Sequence, residues 1–366
     1  MIAERTGIMP ADRQEAVARV RSRAEGVLAK LIADYPRYFP AAPAAPTIVD
    51  VTPMPRRLSD IARAELAVDG ASLSVYVKLH KKSGAPLDRV RTKARLEFDT
   101  LADLHPKFRA VPRCDVVRPI AFFAEDLAVV TEVGEGENLH GLVKHGLRRG
   151  RREAVVTQLE QHCRESGVWL RHFQALTARP HQAPLPVAEL LGKVSADLDA
   201  CRAIGLPAAE ADRLLALVRR HLAALDGRPF PVVGAHPDFQ PDNLLVGSRG
   251  VTVLDFTSFC YAPPVSDVAR FVAALMFLEK NPVYSPRTVT RLLSAFLDGY
   301  GQPAAALNPA LTVYVVRFTV QAAATVRSWR LPGALRRLIE RQVIRHTTSW
   351  CRDLLHRGEF SIDAAR

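Results

Sequence analysis

The sequence predicts an α+β protein of two lobes, a small antiparallel β-sheet lobe followed by a mainly α-helical one. Three observations carry this. Strand-like alternation is concentrated before residue 133, helical periodicity dominates from Arg151 onward, and a polar loop with an apolar hairpin interrupts the helices at 235–256. With 366 residues, 48% of them hydrophobic, the chain can fill one large domain or two lobes with their own cores. The expected division is an N-terminal helix and linker over 1–46, a β-rich lobe over 47–133 and an α-rich lobe over 134–366, with a cleft between the lobes.

Each element has its own signal. Residues 11–34 show helical spacing through Val17, Val20, Ala24, Val27, Leu28 and Leu31, and end before a Pro/Ala-rich linker from Pro40 to Pro46. This reads as a helix packed outside the main body. Strand-like runs at Ile61–Val68 and Leu73–Leu79 flank Asp69-Gly70, a strong hairpin dipeptide. A helix is expected from about Asp88 to Leu104, then strands near Val116–Phe123 and Leu127–Val133. The helical second part is broken by a Pro-rich segment at Pro180–Pro186 and by the loop-and-hairpin.

Composition narrows the class. The five cysteines are scattered without a CxxC pair, which argues against a disulfide framework or zinc site and makes a reducing cytoplasm the default. Glu4, Arg5, Asp12 and Arg13 leave no room for the apolar core of a signal peptide, and the longest apolar run, Phe271–Leu278, is too short to span a bilayer. Part of the net charge of +12 is concentrated in Arg148-Arg149-Gly150-Arg151-Arg152, and more in a tail of Arg327, Arg330, Arg336, Arg337, Arg341, Arg345, Arg352 and Arg357. No aromatic interleaving or nucleic-acid motif accompanies these runs, which argues against nucleic acid. A solvated basic surface and a weak contact of Arg148–Arg152 with an anionic surface both remain open.

The chemistry concentrates in Ala235-His236-Pro237-Asp238-Phe239-Gln240-Pro241-Asp242-Asn243-Leu244-Leu245-Val246 and Val253-Leu254-Asp255-Phe256. Asp238, Asn243 and Asp255 sit at the ends of the expected hairpin, where three oxygen-bearing side chains can converge. Asp238 can accept a hydrogen bond from a substrate hydroxyl, and Asn243 and Asp255 offer hard oxygen ligands suited to Mg²⁺. This is the equipment of Mg-dependent phosphoryl transfer. A metallohydrolase reading of His236, Asp238 and Asp255 lacks a second histidine at ligand spacing.

The same residues resemble the aminoglycoside phosphotransferase and choline kinase family, the small-molecule branch of the protein-kinase-like fold, over roughly residues 55–300. Its signature is H-x-D-x-x-x-x-N, then an Asp at the end of the next strand, matched by His236, Asp238, Asn243 and Asp255. The resemblance implies ATP and Mg²⁺ as cofactors. It also implies Asp238 as catalytic base, His236 as a brace within the catalytic loop, and Asn243 and Asp255 as metal ligands. A further Asp opening the next helix is matched by Asp267, implied to anchor the loop's backbone amides.

In the first lobe, alternation puts Leu73, Val75, Val77 and Leu79 on one strand face and Ser74, Tyr76 and Lys78 on the other. Glu97 falls on the apolar stripe of the following helix with Val90, Ala94 and Leu101. A carboxylate there needs a cation, because desolvating it alone costs several kcal/mol. Lys78 is the natural one, giving the strand-Lys to helix-Glu pair that holds ATP phosphates in kinases. No G-x-G-x-x-G precedes Lys78; the small residues Ala71, Ser72 and Ser74 replace it. Glu132 and Val133 resemble the inter-lobe hinge whose backbone binds the base.

The expected function is therefore transfer of the γ-phosphate of ATP to a hydroxyl of a small molecule: a sugar, amino alcohol, nucleoside or antibiotic. Two alternatives stand beside it, a catalytically silent kinase-like scaffold and a kinase acting on an anionic lipid or glycan at a membrane surface.

Overall fold

The computed structural model describes residues 10–56, 59–82, 84–329 and 333–362. Glu4 and Arg5 at the N-terminus and Arg330 of the basic tail lie outside the described residues. The chain divides into two compact units, one of Met1–Glu135 with Thr252–Phe259, the other of Gly136–Val251 with Cys260–Arg366.

The first unit opens with α1 (Pro10–Ala33) and a short α2 (Tyr35–Tyr38). Strands β1 (Thr47–Pro55), β2 (Ser59–Val68) and β3 (Ala71–His80) follow, then α3 (Leu87–Phe108) and β4 (Cys114–Val116), β5 (Pro119–Phe123) and β6 (Ala128–Glu132). Five of these strands form an antiparallel sheet in the order β1-β2-β3-β6-β5. The β2–β3 hairpin turns on two residues, with Val68 paired to Ala71. Asp69 and Gly70 both have positive φ, at 49° and 75°, as a type I′ turn demands, and glycine is at ease there. Val75, Val77 and Leu79 are buried against Val20, Ala24, Val27, Leu28 and Leu31 of α1. The N-terminal helix is thus part of this unit's core and not an outside appendage, because its apolar stripe is the cover for one sheet face. Each such fully buried Val or Leu is worth about 1.5–3 kcal/mol.

Two strand assignments differ from the sequence reading. β1 was not visible in the alternation, since it is an edge strand exposed over most of its length and carries Pro53 and Pro55. Proline is tolerated at an edge, where a missing N–H interrupts no ladder. The expected strand Val116–Phe123 is two strands, broken at Val117-Arg118 before Pro119, whose ring restricts the preceding residue.

The second unit is mainly helical. β7 (Glu137–Asn138) leads into α4 (Leu139–Gly146), capped by the Asn138 side chain, which accepts from the Gly141 amide. Then come α5 (Glu153–Leu176), β8 (Gln182–Pro184), α6 (Val187–Arg202), α7 (Ala208–Leu225), β9 (Pro229–Pro231) and β10 (Val233–Ala235). The hairpin strands are β11 (Leu244–Gly247), paired with β7, and β12 (Gly250–Val253), along which the chain passes into the first unit. It returns at β13 (Cys260–Ala262), paired with β10, and continues through α8 (Val265–Met276), α9 (Pro286–Tyr300), α10 (Ala304–Leu307), α11 (Ala310–Thr325) and α12 (Gly333–Arg357). Among the described residues no helix is long and apolar enough to cross a membrane.

An aromatic cluster centres this unit. Phe271 stacks on Phe296 at 4.1 Å between ring centroids, Trp169 on Phe173 at 5.1 Å, and Phe239 bridges the two pairs, 5.6 Å from Trp169 and 5.7 Å from Phe271. Beside it α5 and α9 touch backbone to backbone. A Cβ at Gly167 would stand 2.1 Å from the Phe296 carbonyl oxygen, and one at Gly299 only 1.9 Å from that of Arg164. No side-chain rearrangement can relieve a clash with backbone. Gly299→Ala is accordingly expected to cost about 3 kcal/mol or more, read as a lower urea midpoint with unchanged slope, whereas Gly192→Ala, on α6 with open space at its Cβ position, is expected to leave that midpoint unmoved or slightly raised.

Candidate active site

In the first unit the charges gather around Lys78. Its position on β3 turns the side chain away from the α1 core, and Nζ lies 2.8 Å from Glu97 Oε1 on α3 and 2.7 Å from Asp255 Oδ1. It also donates to Thr257 Oγ1 at 2.9 Å, so all three ammonium donors are taken. Burial by itself lowers a lysine's pKa; here the charges of Glu97 and then Asp255 outweigh it, and the Lys78 pKa lies above its ordinary value. Glu97 is 5% exposed and Asp255 42%. His80 Nε2 stands 3.2 Å from Glu97 Oε2. Asp255 sits in the left-handed region with φ 64°, which Asp adopts more readily than most residues, and its Oδ1 accepts from the Thr257 hydroxyl and amide.

In the second unit the loop between β10 and β11 presents Asp238. Phe239 is fully buried in the aromatic cluster, while the Asp238 side chain beside it is 48% exposed. Arg270 Nη2 donates to Asp238 Oδ1 at 2.7 Å. The Asn243 amide donates through Nδ2 to the Asp238 backbone oxygen at 2.9 Å and to Oδ2 at 3.3 Å. Both Asp238 oxygens are acceptors only, so Asn243 must offer them its nitrogen, which leaves its Oδ1 as an uncommitted acceptor. Asn243 itself closes a 3₁₀ turn begun by Pro241.

His236 is buried, its ring edge-on to Phe239 at 6.3 Å. Its backbone N–H donates to Asp267 Oδ2 at 3.0 Å. Asp267, in the first turn of α8, is buried, and burial pushes its carboxyl up to about 7 against the opposing hydrogen bonds from the His236 amide and Gln174. Gln174 in turn donates to the Pro264 oxygen and accepts from the Tyr300 hydroxyl. The loop is therefore tied to α5, α8 and α9 together.

The remaining sequence-selected residues occupy the sheet. Ser72 Oγ donates to Glu65 Oε2 at 3.3 Å, beside Ser74, which also donates to Glu65. Glu132 pairs with Arg118 at 2.6 Å, and the Val133 N–H donates to the Ser74 oxygen at 3.0 Å. In the Arg148–Arg152 run, Arg149 and Arg151 donate to the Pro282 and His145 carbonyls, so two of its four arginines serve local structure. Sequence reasoning assigned no part to Arg270 or Thr257. Arg270 had one signal, its place three residues after Asp267 and so on the same helix face. Thr257 had only its position two residues after Asp255.

A sequence profile of the phosphotransferase enzyme family matches residues 68–309, and the chain belongs to that family. Its fold is the protein-kinase-like one, with an antiparallel-sheet unit and a helical unit. Among solved structures it is similar to a choline/ethanolamine kinase family protein from Mesorhizobium loti, at 13% identity and TM-score 0.52, covering 94% of this chain and 99% of that one. An amicoumacin kinase in complex with AMP-PNP, Ca²⁺ and Ami is similar at 12% identity and TM-score 0.52, covering 82% and 88%. Choline kinase from Cryptosporidium parvum is similar at 10% identity and TM-score 0.51, covering 86% and 92%. No curated protein matches the chain significantly.

Two outcomes test these assignments. Lys78→Met strands the buried Glu97 carboxylate and is expected to cost about 3–5 kcal/mol in urea denaturation, with most of the loss recovered in Lys78→Met/Glu97→Gln. Asp267 retains its proton in the fold at pH values where the unfolded chain has lost it. The stability this gives is complete below its ordinary value of 3.8 and is lost as pH rises to about 7. Measured against Asp267→Asn, wild-type stability should fall across that window by up to about 1.4 kcal/mol per pH unit and run parallel to the variant above it.

Proposed function

We propose that this protein transfers the γ-phosphate of ATP to a hydroxyl group of a small molecule. The observation that carries the reading is Lys78, a largely buried ammonium shared between Glu97 and Asp255 at 2.8 and 2.7 Å. A cation this firmly placed, with a helix carboxylate behind it, is what fixes nucleotide phosphates in kinase-like enzymes. In this reading Lys78 and Glu97 bind the nucleotide, Ser72 and the β2–β3 turn border its phosphates, and the chain at Glu132 and Val133, its N–H groups already bonded to Arg118 and Ser74, borders the base.

Asp238 is the proposed catalytic base. Its carboxylate is held in one orientation by Arg270 and Asn243 and is still half exposed, so it can accept a hydrogen bond from the acceptor hydroxyl. The hydroxyl oxygen forms the new bond to the γ-phosphorus as the bond to the β–γ bridging oxygen breaks. ADP leaves, and the hydroxyl proton passes to Asp238 late in the step. His236 braces the loop from below through Asp267. The amide oxygen of Asn243 and the carboxylate of Asp255 are hard donors that fit Mg²⁺, which when bound supplies neutralising charge for the phosphate oxygens.

A small acceptor agrees with the similar structures, one an amicoumacin kinase in complex with AMP-PNP and another a choline kinase. The test is ADP release from Mg-ATP across a panel of sugars, amino alcohols, nucleosides and antibiotics. With any acceptor that turns over, Asp238→Ala and Asp255→Ala should each lower kcat by about 10²–10⁴-fold while keeping the wild-type circular dichroism spectrum. Wild-type rates in both would remove the site assignment.

A further inference from the structure

α11 is an apolar helix with one charged residue, Arg317, set among buried Val315, Val316, Phe318 and Thr319. Arg317 is half-buried and makes no hydrogen bond or ion pair with a described residue. Its guanidinium carbon lies 4.9 Å from the centre of the Phe318 ring, and that of Arg270 lies 5.4 Å from the same ring. Two like charges thus flank one aromatic ring, which brings them no farther apart than those two distances together allow. Arg270 spends Nη2 on Asp238, and its Nε is buried without a partner.

Two acids on α6 feel the charge of Arg317 without forming an ion pair with it. Glu189 on α6 is exposed and already held by Lys193 in the next turn of its helix. Asp197, one face along α6, has its carboxyl pushed above the usual range by burial, against the pull of Arg317. A half-buried guanidinium with no hydrogen-bond partner among the described residues keeps its donors for a ligand. Each guanidinium carries a planar fork of donors that matches a carboxylate or phosphate two bonds at a time. Arg270 already sets its fork against the carboxylate proposed to receive the acceptor's proton, and Arg317 shares the Phe318 ring with it.

We propose that Arg270 and Arg317 form an oxyanion subsite next to Asp238, so that the hydroxyl compound phosphorylated here carries a carboxylate or phosphate group of its own. This rests on the phosphotransferase reading for the word acceptor, but the subsite itself is decided by binding alone.

The binding arm uses the full chain saturated with Mg-ADP, which occupies the nucleotide phosphates' own positions. Inorganic phosphate, glycolate and, as the neutral counterpart, ethylene glycol are titrated by calorimetry. Phosphate or glycolate should bind and ethylene glycol should not, and the affinity should fall about 10- to 100-fold in Arg317→Met, the worth of one charge-assisted pair. Arg317→Lys should recover part of it. Circular dichroism confirms that the variants fold. Whichever of phosphate and glycolate binds more tightly tells which oxyanion the acceptor bears. No binding by either anion, or binding indifferent to Arg317→Met, overturns the subsite.

The turnover arm compares glycerol, glycerol 3-phosphate, glycerate and an aminosugar with Mg-ATP. Preference for the anionic acceptors, and a drop of about tenfold or more in that preference in Arg317→Met through KM, supports the proposal. Equal losses on charged and neutral acceptors in Arg317→Met would overturn it. Preference for the aminosugar would overturn it as well. Absence of turnover with every acceptor in both this series and the wider panel strikes the phosphotransferase reading, leaving the binding arm to decide the subsite.

Discussion

The burial of Phe239 is the constraint on which the candidate catalytic loop depends. A loop that must present a carboxylate to solvent cannot itself be packed, so its position has to be borrowed from a residue beside it. Phe239 is wholly buried between Trp169 and Phe271, and Asp238 rides on its N-terminal side. The pinning is repeated in polar terms one turn earlier, where the His236 amide is held by buried Asp267. Because Asp267 stands on α8 and Phe239 reaches α5 and α9, the loop inherits the rigidity of three helices. Those helices can come close enough to enclose it because Gly167 and Gly299 let α5 and α9 meet at their backbones.

A different balance rules the sheet unit. Lys78, Glu97, Asp255 and Thr257 form a cluster in which one cation answers two carboxylates. Taken as an isolated pair, Lys78 and Glu97 would repay little more than their desolvation. Asp255 adds a negative charge that raises the affinity of Lys78 for its proton and leaves the group short of positive charge. That excess of negative charge around Lys78 contrasts with Asp238, whose carboxylate is paired with Arg270.

Much of the architecture could be read from residue order because it rests on local periodicity. The β2–β3 hairpin follows from alternating Leu73, Val75, Val77 and Leu79 and from Asp69-Gly70, which fits a turn needing two positive φ angles. The contact of Lys78 with Glu97 followed from an acid lying on an apolar helix stripe, where only a cation could make it tolerable. What stayed hidden was hidden for physical reasons. β1 is an exposed edge with two prolines and so carries neither alternation nor good strand composition. The cover that α1 gives the sheet is invisible from its own sequence, since an amphipathic stripe names no partner.

By itself, the sequence determined the pattern of elements and the identity of the chemical groups: the Asp238, Asn243 and Asp255 spacing, the stripe-bound Glu97 and the family to which they belong. These are written in short-range order, in periods of two and 3.6 residues and in turn chemistry. Only the tertiary structure decided which groups those residues answer to. Arg270 against Asp238, Arg317 on the shared Phe318 ring, and Thr257 between Lys78, Glu97 and Asp255 join residues brought together by packing. An ion pair across elements depends on where helices come to rest, and that is set by the summed burial of side chains far from the charges themselves.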